Sequence, residues 1–197
     1  MDLNYGAWDN VEFSTIMYIK NLSSYQKILN NLFEKNNQYS NVNSFYFKNF
    51  ALTTFFAQIF TTFEYNLTTI CDKIQECNHE KFYLKDIKGS NDLDKAKTYI
   101  LKTVGVDIST YENWAQLKNL QQVRHCIVHN HCIYPKDAPF KKMLEESEGI
   151  IFNSTNDNRD IFSMNDNKFN TQFIQLIRSF FDKLYKDVYS HYNVQIK

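Results

Sequence analysis

The stretch LTTFFAQIFTTFEYNLTTI, residues 52–70, decides the fold class of this chain. Its apolar residues recur every three to four positions, which is the period of an α-helix that buries one face. We therefore predict a helix over 44–78 that forms the centre of a helical bundle. The residues expected on its buried face are Leu52, Phe55, Phe56, Ile59, Phe60, Phe63, Leu67 and Ile70.

The same periodicity predicts four further helices. They span about 10–37, 92–104, 109–130 and 168–192. The helix over 92–104 begins at a cap formed by Asn91 or Asp92 and ends before Gly105, because glycine readily adopts the left-handed conformation that follows a helix. Ser109 and Glu112 have the spacing of a capping box that would begin the next helix.

Three of these helices also show apolar faces that are expected to point toward a core. In the first, the face consists of Phe13, Ile16, Met17, Leu22, Tyr25, Ile28, Leu29 and Leu32. In the helix over 109–130 it consists of Trp114, Leu117, Leu120, Val123, Ile127 and Val128. In the last helix it consists of Phe173, Ile177, Phe180, Phe181, Leu184 and Val188.

Two short apolar runs before the last helix have the character of β-strands. Ile150–Asn153 and Ile161–Met164 flank a polar turn, so we predict a β-hairpin over about 149–164. The charged segment 135–148 is compatible with a short helix. The whole chain, 1–197, is therefore predicted to be one all-α domain, an up-and-down bundle of four to five helices with this hairpin inserted before the last helix.

Composition bears on location and on partners. The 197 residues carry a formal net charge of zero, so total charge gives no argument for a nucleic acid or an anionic membrane. Locally, 80–142 holds eleven Lys and Arg against seven Asp and Glu, a net of +4. The start, MDLNYGAWDN, lacks the features of a secretion signal, and no apolar run has the length of a membrane span. We expect a cytoplasmic protein with no membrane partner and with four free thiols.

The stretch QQVRHCIVHN, residues 121–130, places titratable side chains on the predicted helix over 109–130. Each residue advances about 100° around a helix, so His125 and His129 project from one face. Arg124 lies about 140° from His129. These two side chains converge only if the helix frays after Val128, or if a second copy of the chain supplies the partner across a two-fold axis. The spacing thus suggests a composite site in a homodimer.

These residue types suit the cleavage of RNA without a metal ion. In that reaction the ribose 2′-hydroxyl loses a proton, the 5′-oxygen gains one, and the phosphate gathers charge. Histidine serves either proton transfer near neutral pH, and a guanidinium group binds two phosphate oxygens at once. The candidate catalytic residues are Arg124, His125 and His129, with Asn130 and His131 as candidates for a supporting role.

Other chemistries are less well matched by the sequence. Cys126, His131 and Cys132 near the two histidines could suggest zinc, yet no second ligand pair appears, and Cys71 and Cys77 are six positions apart, off the usual zinc spacings. A Cys–His nucleophile needs an oxyanion hole, which nothing in the sequence marks. The four glycines are too scattered for a phosphate-binding loop, so we expect neither a metal nor a cofactor.

A structural interpretation of the same residues stays open. An arginine followed five positions later by a histidine arises by chance in about one chain in twelve of this composition. Arg124 could pair with a carboxylate, and Asn130 and His131 could cap the end of the helix. The chain would then be an all-α structural domain in which the pattern is a coincidence.

The longer string LQQVRHCIVHN, residues 120–130, resembles the signature of HEPN domains, a nucleotide-binding family of higher eukaryotes and prokaryotes. The family pattern is an arginine, a polar residue, three variable residues and a histidine. In this chain the pattern corresponds to Arg124, His125, the three residues 126–128, and His129. The resemblance is sharp over roughly 110–134 and depends on architecture elsewhere. One departure is a histidine at position 125, where asparagine is the commonest residue.

The resemblance implies a bundle that dimerises through the helix over 110–130. It also implies a metal-independent endoribonuclease that leaves a 2′,3′-cyclic phosphate, in which Arg124 stabilises the phosphate, His129 acts as general acid or base, and His125 orients or assists. Many members belong to bacterial toxin–antitoxin, abortive-infection and antiviral systems, so RNA and an antitoxin or nucleotidyltransferase are expected partners. Since some members are not nucleases, the alternative is a non-catalytic module that binds a nucleotide or a partner protein.

Overall fold

The computed structural model describes residues 5–36, 42–78, 82–89, 91–155 and 157–195. The chain is mostly helical with a small antiparallel sheet, which is consistent in outline with the predicted helical fold and its hairpin. The described residues contain six α-helices rather than the four to five predicted. In chain order the elements are α1 (Tyr5–Asn36), α2 (Val42–Asn78), α3 (Asp92–Val104), α4 (Trp114–Asn130), β1 (Ile133–Pro135), α5 (Lys141–Glu145), β2 (Ile150–Ser154), β3 (Arg159–Met164) and α6 (Lys168–Gln195).

The chain divides into two compact units. Unit 1 comprises the described parts of Met1–Lys20, Thr61–Trp114 and Ile177–Lys197. Unit 2 comprises those of Asn21–Phe60 and Ala115–Leu176. The candidate catalytic residues all belong to unit 2. The prediction of a single domain over 1–197 stays a prediction.

The aromatic face of α2 is buried, as predicted for all eight of its residues. In unit 2, Phe56 stacks on Phe169 with ring centroids 5.4 Å apart and lies 5.0 Å from Phe173. The amide of Asn170, also on α6, donates a hydrogen bond of 3.2 Å to the carbonyl of Leu52. Dense ring packing and a satisfied buried amide therefore join α2 to α6 within this unit.

Unit 1 has an aromatic core of its own. The ring of Phe63 on α2 makes an edge contact with Phe180 on α6, with centroids 5.5 Å apart. The hydroxyl of Tyr111 donates a hydrogen bond of 2.6 Å to Asp187. All six residues predicted for the inner face of α6 are buried, which confirms that prediction.

The predicted caps at both ends of α3 are confirmed, whereas the predicted cap at the start of α4 is wrong. Asn91 accepts a hydrogen bond from the backbone N–H of Asp94 at 2.9 Å, and Gly105 follows the helix with φ of +73°. The predicted capping box of Ser109 with Glu112 is wrong. Asp107 caps a short 3-10 turn over 108–110 instead, and α4 begins only at Trp114.

The predicted inner face of α1 is largely wrong. Phe13, Tyr25 and Ile28 are 63%, 62% and 60% exposed, and only Leu22 of the predicted set is fully buried. The buried face of α1 is rotated from the predicted one because a polar residue occupies part of it. The hydroxyl of Thr15 is buried and lies 2.8 Å from that of Tyr185. Over residues 10–34, where the side chains of α1 are described, the buried residues are Val11, Thr15, Ile19, Leu22 and Phe33.

The sheet has three antiparallel strands in the order β1-β3-β2. Strands β2 and β3 form the predicted hairpin, each within two residues of its expected bounds. Strand β1 was not predicted, because three residues are too few to show an alternating pattern. It pairs at the sheet edge, Ile133 with Ile161 and Pro135 with Arg159, and an edge is where a proline is tolerated in a sheet.

Gly149→Ala should destabilise the fold more than Gly105→Ala does. Both glycines have positive φ, 83° and 73°, a conformation that costs a residue with a side chain about 1–2 kcal/mol. At Gly149 an added Cβ would also lie 2.3 Å from the Asp166 carboxylate, whereas nothing lies within 4 Å at Gly105. Moving that carboxylate would break its bond to the N–H of Lys168 at the start of α6.

The measurement is urea unfolding of the two variants beside wild type. We expect the free energy of unfolding of the Gly149 variant to fall by at least about 1 kcal/mol more than that of the Gly105 variant, because only the Gly149 variant combines backbone strain with a steric clash. Equal losses at the two positions would contradict this account of Gly149.

Candidate active site

The candidate catalytic residues lie in the last two turns of α4. Val123 is fully buried, as predicted, but the predicted burial of Val128 is wrong, since this residue is 43% exposed. Ile127 is half-buried. Cys126 is buried instead, and its thiol donates a hydrogen bond of 3.3 Å to the carbonyl of Ile133. The last turn of α4 therefore buries a thiol and leaves an apolar side chain in solvent.

His125 and His129 lie side by side on the exposed surface of α4. Their ring centroids are 4.5 Å apart and the ring planes are inclined by 43°. Both residues are exposed. This is the arrangement that a spacing of four residues predicts, and it presents two imidazoles to one ligand.

Arg124 is placed differently from the two histidines. The residue is half-buried, and its Nε is buried without a hydrogen-bond partner in the described part of the chain. No ion pair between Arg124 and a carboxylate is found among the described residues either, so the proposed structural pairing is not seen there. A buried donor without a partner costs about 1–3 kcal/mol. The structure thus brings the histidines together and leaves Arg124 apart from them.

Asn130 and His131 stand at the end of α4, and both are exposed. Asn130 is the last helical residue. His131 and Cys132 follow with φ of +51° and +66°, values that cost residues other than glycine about 1–2 kcal/mol each. The N–H of Cys132 closes the helix by donating to the carbonyl of Cys126 at 3.2 Å. Backbone strain of this kind persists only where neighbouring structure holds the chain, and it is concentrated at functional sites.

Strand β3 supplies that neighbouring structure. The N–H of Phe162 donates to the carbonyl of Cys132 at 3.2 Å. Two residues later along the strand, the N–H of Met164 donates to the side-chain oxygen of Asn49 at 2.8 Å. One strand of the hairpin therefore holds both the end of α4 and the first half of α2.

Between these two helical segments of unit 2 lies a groove of about 520 Å³, here called the α2–α4 groove. Its lining consists of Tyr46, Asn49, Phe50, Thr53, Thr54, Ala57, Ile127, Val128, His131 and Cys132. Arg124 precedes Ile127 and Val128 by three and four residues, so it lies on the same side of α4 as the groove wall. The groove and the candidate active site are therefore adjacent along one helix.

The cysteines near the motif are poor nucleophiles. Burial raises the pKa of the Cys126 thiol to about 11. Burial, reinforced by the neighbouring Cys126, raises the pKa of Cys132 to about 12. Since the thiolate is the reactive form, these groups are ill suited to a Cys–His mechanism near neutral pH. Among the described residues, no three His, Cys, Asp or Glu side chains are grouped closely enough to hold a metal ion.

Sequence reasoning did not single out Tyr46, Asn49 and Phe50 of the groove. A signal for them exists, because Tyr46 and Phe50 fall outside the buried stripe of α2 although they are as large and apolar as its members. They are 63% and 69% exposed. Aromatic residues out of phase with a clear helical stripe are thus the feature that could have indicated a second surface on α2.

Comparison with known proteins gives no match, whether to protein-family models, curated proteins or solved structures. Functional inference therefore depends on the residues of this chain and their geometry. None of the helices, as far as the chain is described, is long and apolar enough to cross a membrane.

Arg124→Met should raise the free energy of unfolding by about 1 kcal/mol, because it removes a buried donor that has no partner and keeps an unbranched stem. The matched control is Arg178→Met on α6, an exposed position where the change should stay within about 0.5 kcal/mol. Urea unfolding of both variants tests this. A clear loss of stability in the Arg124 variant would show that its guanidinium group has a structural partner.

Proposed function

We propose that this protein is a metal-independent endoribonuclease whose catalytic residues are Arg124, His125 and His129. One observation carries the proposal. The two imidazoles lie together in solvent, while the buried Nε of Arg124 has no partner in the described structure. A guanidinium group without a local ion-pair partner and a pair of proton-transfer groups, both carried by the last two turns of α4, are the groups that phosphodiester cleavage requires.

The chemistry balances with these side chains alone. A histidine removes the proton of the ribose 2′-hydroxyl, and O2′ attacks the adjacent phosphorus. The bond from phosphorus to O5′ then breaks, and a second histidine gives a proton to the departing O5′. The products are a 2′,3′-cyclic phosphate and a 5′-hydroxyl, and no water is consumed. In this scheme His129 is the general acid or base for one proton transfer, and His125 beside it assists with the other. Arg124 binds the phosphate oxygens as their charge increases.

A homodimer would complete this site. Arg124 and His129 point about 140° apart from a regular helix, so a single α4 does not direct both at one phosphate. Packing α4 against its copy across a two-fold axis would bring Arg124 toward His129 of the partner subunit. The exposed Val128 between them would supply apolar contact in such an interface.

The biological setting we propose rests on the resemblance of residues 120–130 to the HEPN signature. An RNA-cutting enzyme in the cytoplasm has to be restrained, which suits a bacterial toxin–antitoxin, abortive-infection or antiviral system. An antitoxin or a nucleotidyltransferase would then be the restraining partner. The α2–α4 groove favours one alternative, a non-catalytic module that binds a nucleotide or a partner protein, because binding alone needs a groove but no proton transfer.

His129→Ala and Arg124→Ala should each reduce RNA cleavage by about 100-fold to 10,000-fold, the usual contribution of a positioned acid, base or charge-stabilising group. The assay uses purified protein with EDTA present and checks the products for cyclic-phosphate ends. His191→Ala, on α6 in unit 1, is the control and should keep wild-type activity. Undiminished cleavage in the His129 or Arg124 variant, or a requirement for added metal, would contradict the proposal.

Mixing the Arg124→Ala and His129→Ala proteins should restore activity if the site is shared between subunits. Half of the dimers formed at random would be mixed, and each would hold one intact site and one doubly altered site. We therefore expect about a quarter of wild-type cleavage from equal amounts of two proteins that are each inactive alone. Continued inactivity, with mixed dimers shown by sedimentation or mass spectrometry, would place both groups of a site in one subunit.

A further inference from the structure

We propose that the α2–α4 groove binds one unstacked base of a single-stranded RNA next to the phosphate that is cut. Tyr46 and Phe50 are the stacking surfaces. The inference rests on the proposed ribonuclease function and deepens it, because it names the form of RNA that the site accepts and the residues that select it.

The exposed rings are the first argument. Tyr46 and Phe50 are four residues apart, hence on one side of α2, and they are 63% and 69% exposed. The buried rings of α2 pack in the core, whereas these two are mostly exposed at the groove, although the ring of Tyr46 also makes an edge contact with Phe45, with centroids 5.9 Å apart. Bases of single-stranded RNA are recognised chiefly by stacking on aromatic side chains of this kind, which every base can do.

The polar groups of the groove are the second argument. The oxygen of the Asn49 amide is held by the N–H of Met164, so the amide nitrogen of Asn49 is left as the donor for a ligand. Thr54 and His131 are exposed and add a hydroxyl and an imidazole. Aromatic faces beside a few hydrogen-bonding groups match a heterocyclic base, which has flat faces and polar edges. A purely apolar ligand, such as an acyl chain, would leave those groups unsatisfied.

The position of the groove is the third argument. Ile127 and Val128 of its wall lie one helical turn, about 5.4 Å, beyond Arg124. A turn is comparable with the separation of a base from its own phosphate within one nucleotide. A base seated in the groove would therefore bring a neighbouring phosphate to the guanidinium group of Arg124, whose Nε has no partner in the described chain.

The groove is also formed in advance of binding. Strand β3 holds Asn49 on one wall through Met164 and Cys132 on the other through Phe162. A site whose walls are already fixed loses less conformational entropy when it binds a ligand. Its volume of about 520 Å³ suits a ligand the size of a nucleotide rather than a long segment of polymer.

The test measures binding without cleavage. The probe is a fluorescein-labelled decamer of 2′-O-methyluridine, which lacks the attacking hydroxyl, and a second decamer of 2′-O-methyladenosine tests whether all bases are accepted. Fluorescence anisotropy gives the affinities of wild type, Tyr46→Ala and Phe50→Ala. Each variant should bind about 5-fold to 150-fold more weakly, the usual effect of losing one base-stacking ring. The uridine decamer annealed to its complement should bind at least about 10-fold more weakly than the single strand.

The matched control is Phe47→Ala. Phe47 is 54% exposed on the same helix and does not line the groove, so its loss should leave affinity unchanged. All three positions are exposed, so these substitutions should leave the fold intact, and circular dichroism checks this directly. Equal losses in the Phe47 variant would overturn the inference, because they would show that the groove has no special role.

The two proposals fail in different ways. Unchanged affinity in the Tyr46 and Phe50 variants overturns the groove inference, even if His129→Ala abolishes cleavage. Weakened binding in those variants, together with undiminished cleavage by His129→Ala, supports the groove and contradicts the catalytic assignment. If Phe50→Ala instead converts a dimer to a monomer in sedimentation and leaves decamer affinity unchanged, the groove is a contact between copies and the inference is overturned.

Discussion

The packing of Phe56 against Phe169 and Phe173 is the constraint on which the arrangement of unit 2 depends. Burying this ring fixes the rotation of α2 about its own axis, because a helix cannot turn without exposing its apolar stripe. Phe50 then lies about 120° around the helix from Phe56 and is directed away from the core. The same hydrophobic force that buries one aromatic face of α2 therefore presents a second one at the groove.

Strand β3 performs the corresponding task for α4. Its bonds hold Cys132 in a left-handed conformation that a free chain would avoid, and they hold Asn49 across the groove. Strain at His131 and Cys132 and the unpartnered Nε of Arg124 are all unfavourable to folding. These three unfavourable features lie within nine residues and do not stabilise the fold. Such a cluster is expected at a surface that binds a ligand.

Sequence patterns predicted the buried face of a helix correctly where many apolar residues share that face. They failed where one polar group or one short strand determines which residues are buried. The stripe of α2 was predictable because eight apolar residues agree on one phase. The phase of α1 was not, since Thr15 occupies a core position through a hydroxyl pair with Tyr185 that no hydropathy pattern shows. Likewise Val128 is exposed while Cys126 is buried with its thiol bonded to Ile133 of β1, a strand too short to be recognised from the sequence. The motif in α4 could be recognised in the sequence. The groove beside it could not be predicted, because that needs both the rotation of α2 about its axis and the position of β3.

Two sides of α4 carry different parts of the proposed reaction. Arg124 shares a side with the groove wall at Ile127 and Val128, whereas His125 and His129 form a separate pair in solvent. If the groove seats a base, the phosphate arrives on the side of Arg124, and the histidines of the same helix point away from it. Histidines from a second copy would then be required, so that one subunit selects the RNA and the other transfers the protons. Such an enzyme would be inactive as a monomer, and a partner that covers α4 would restrain it by blocking assembly rather than by occupying the groove.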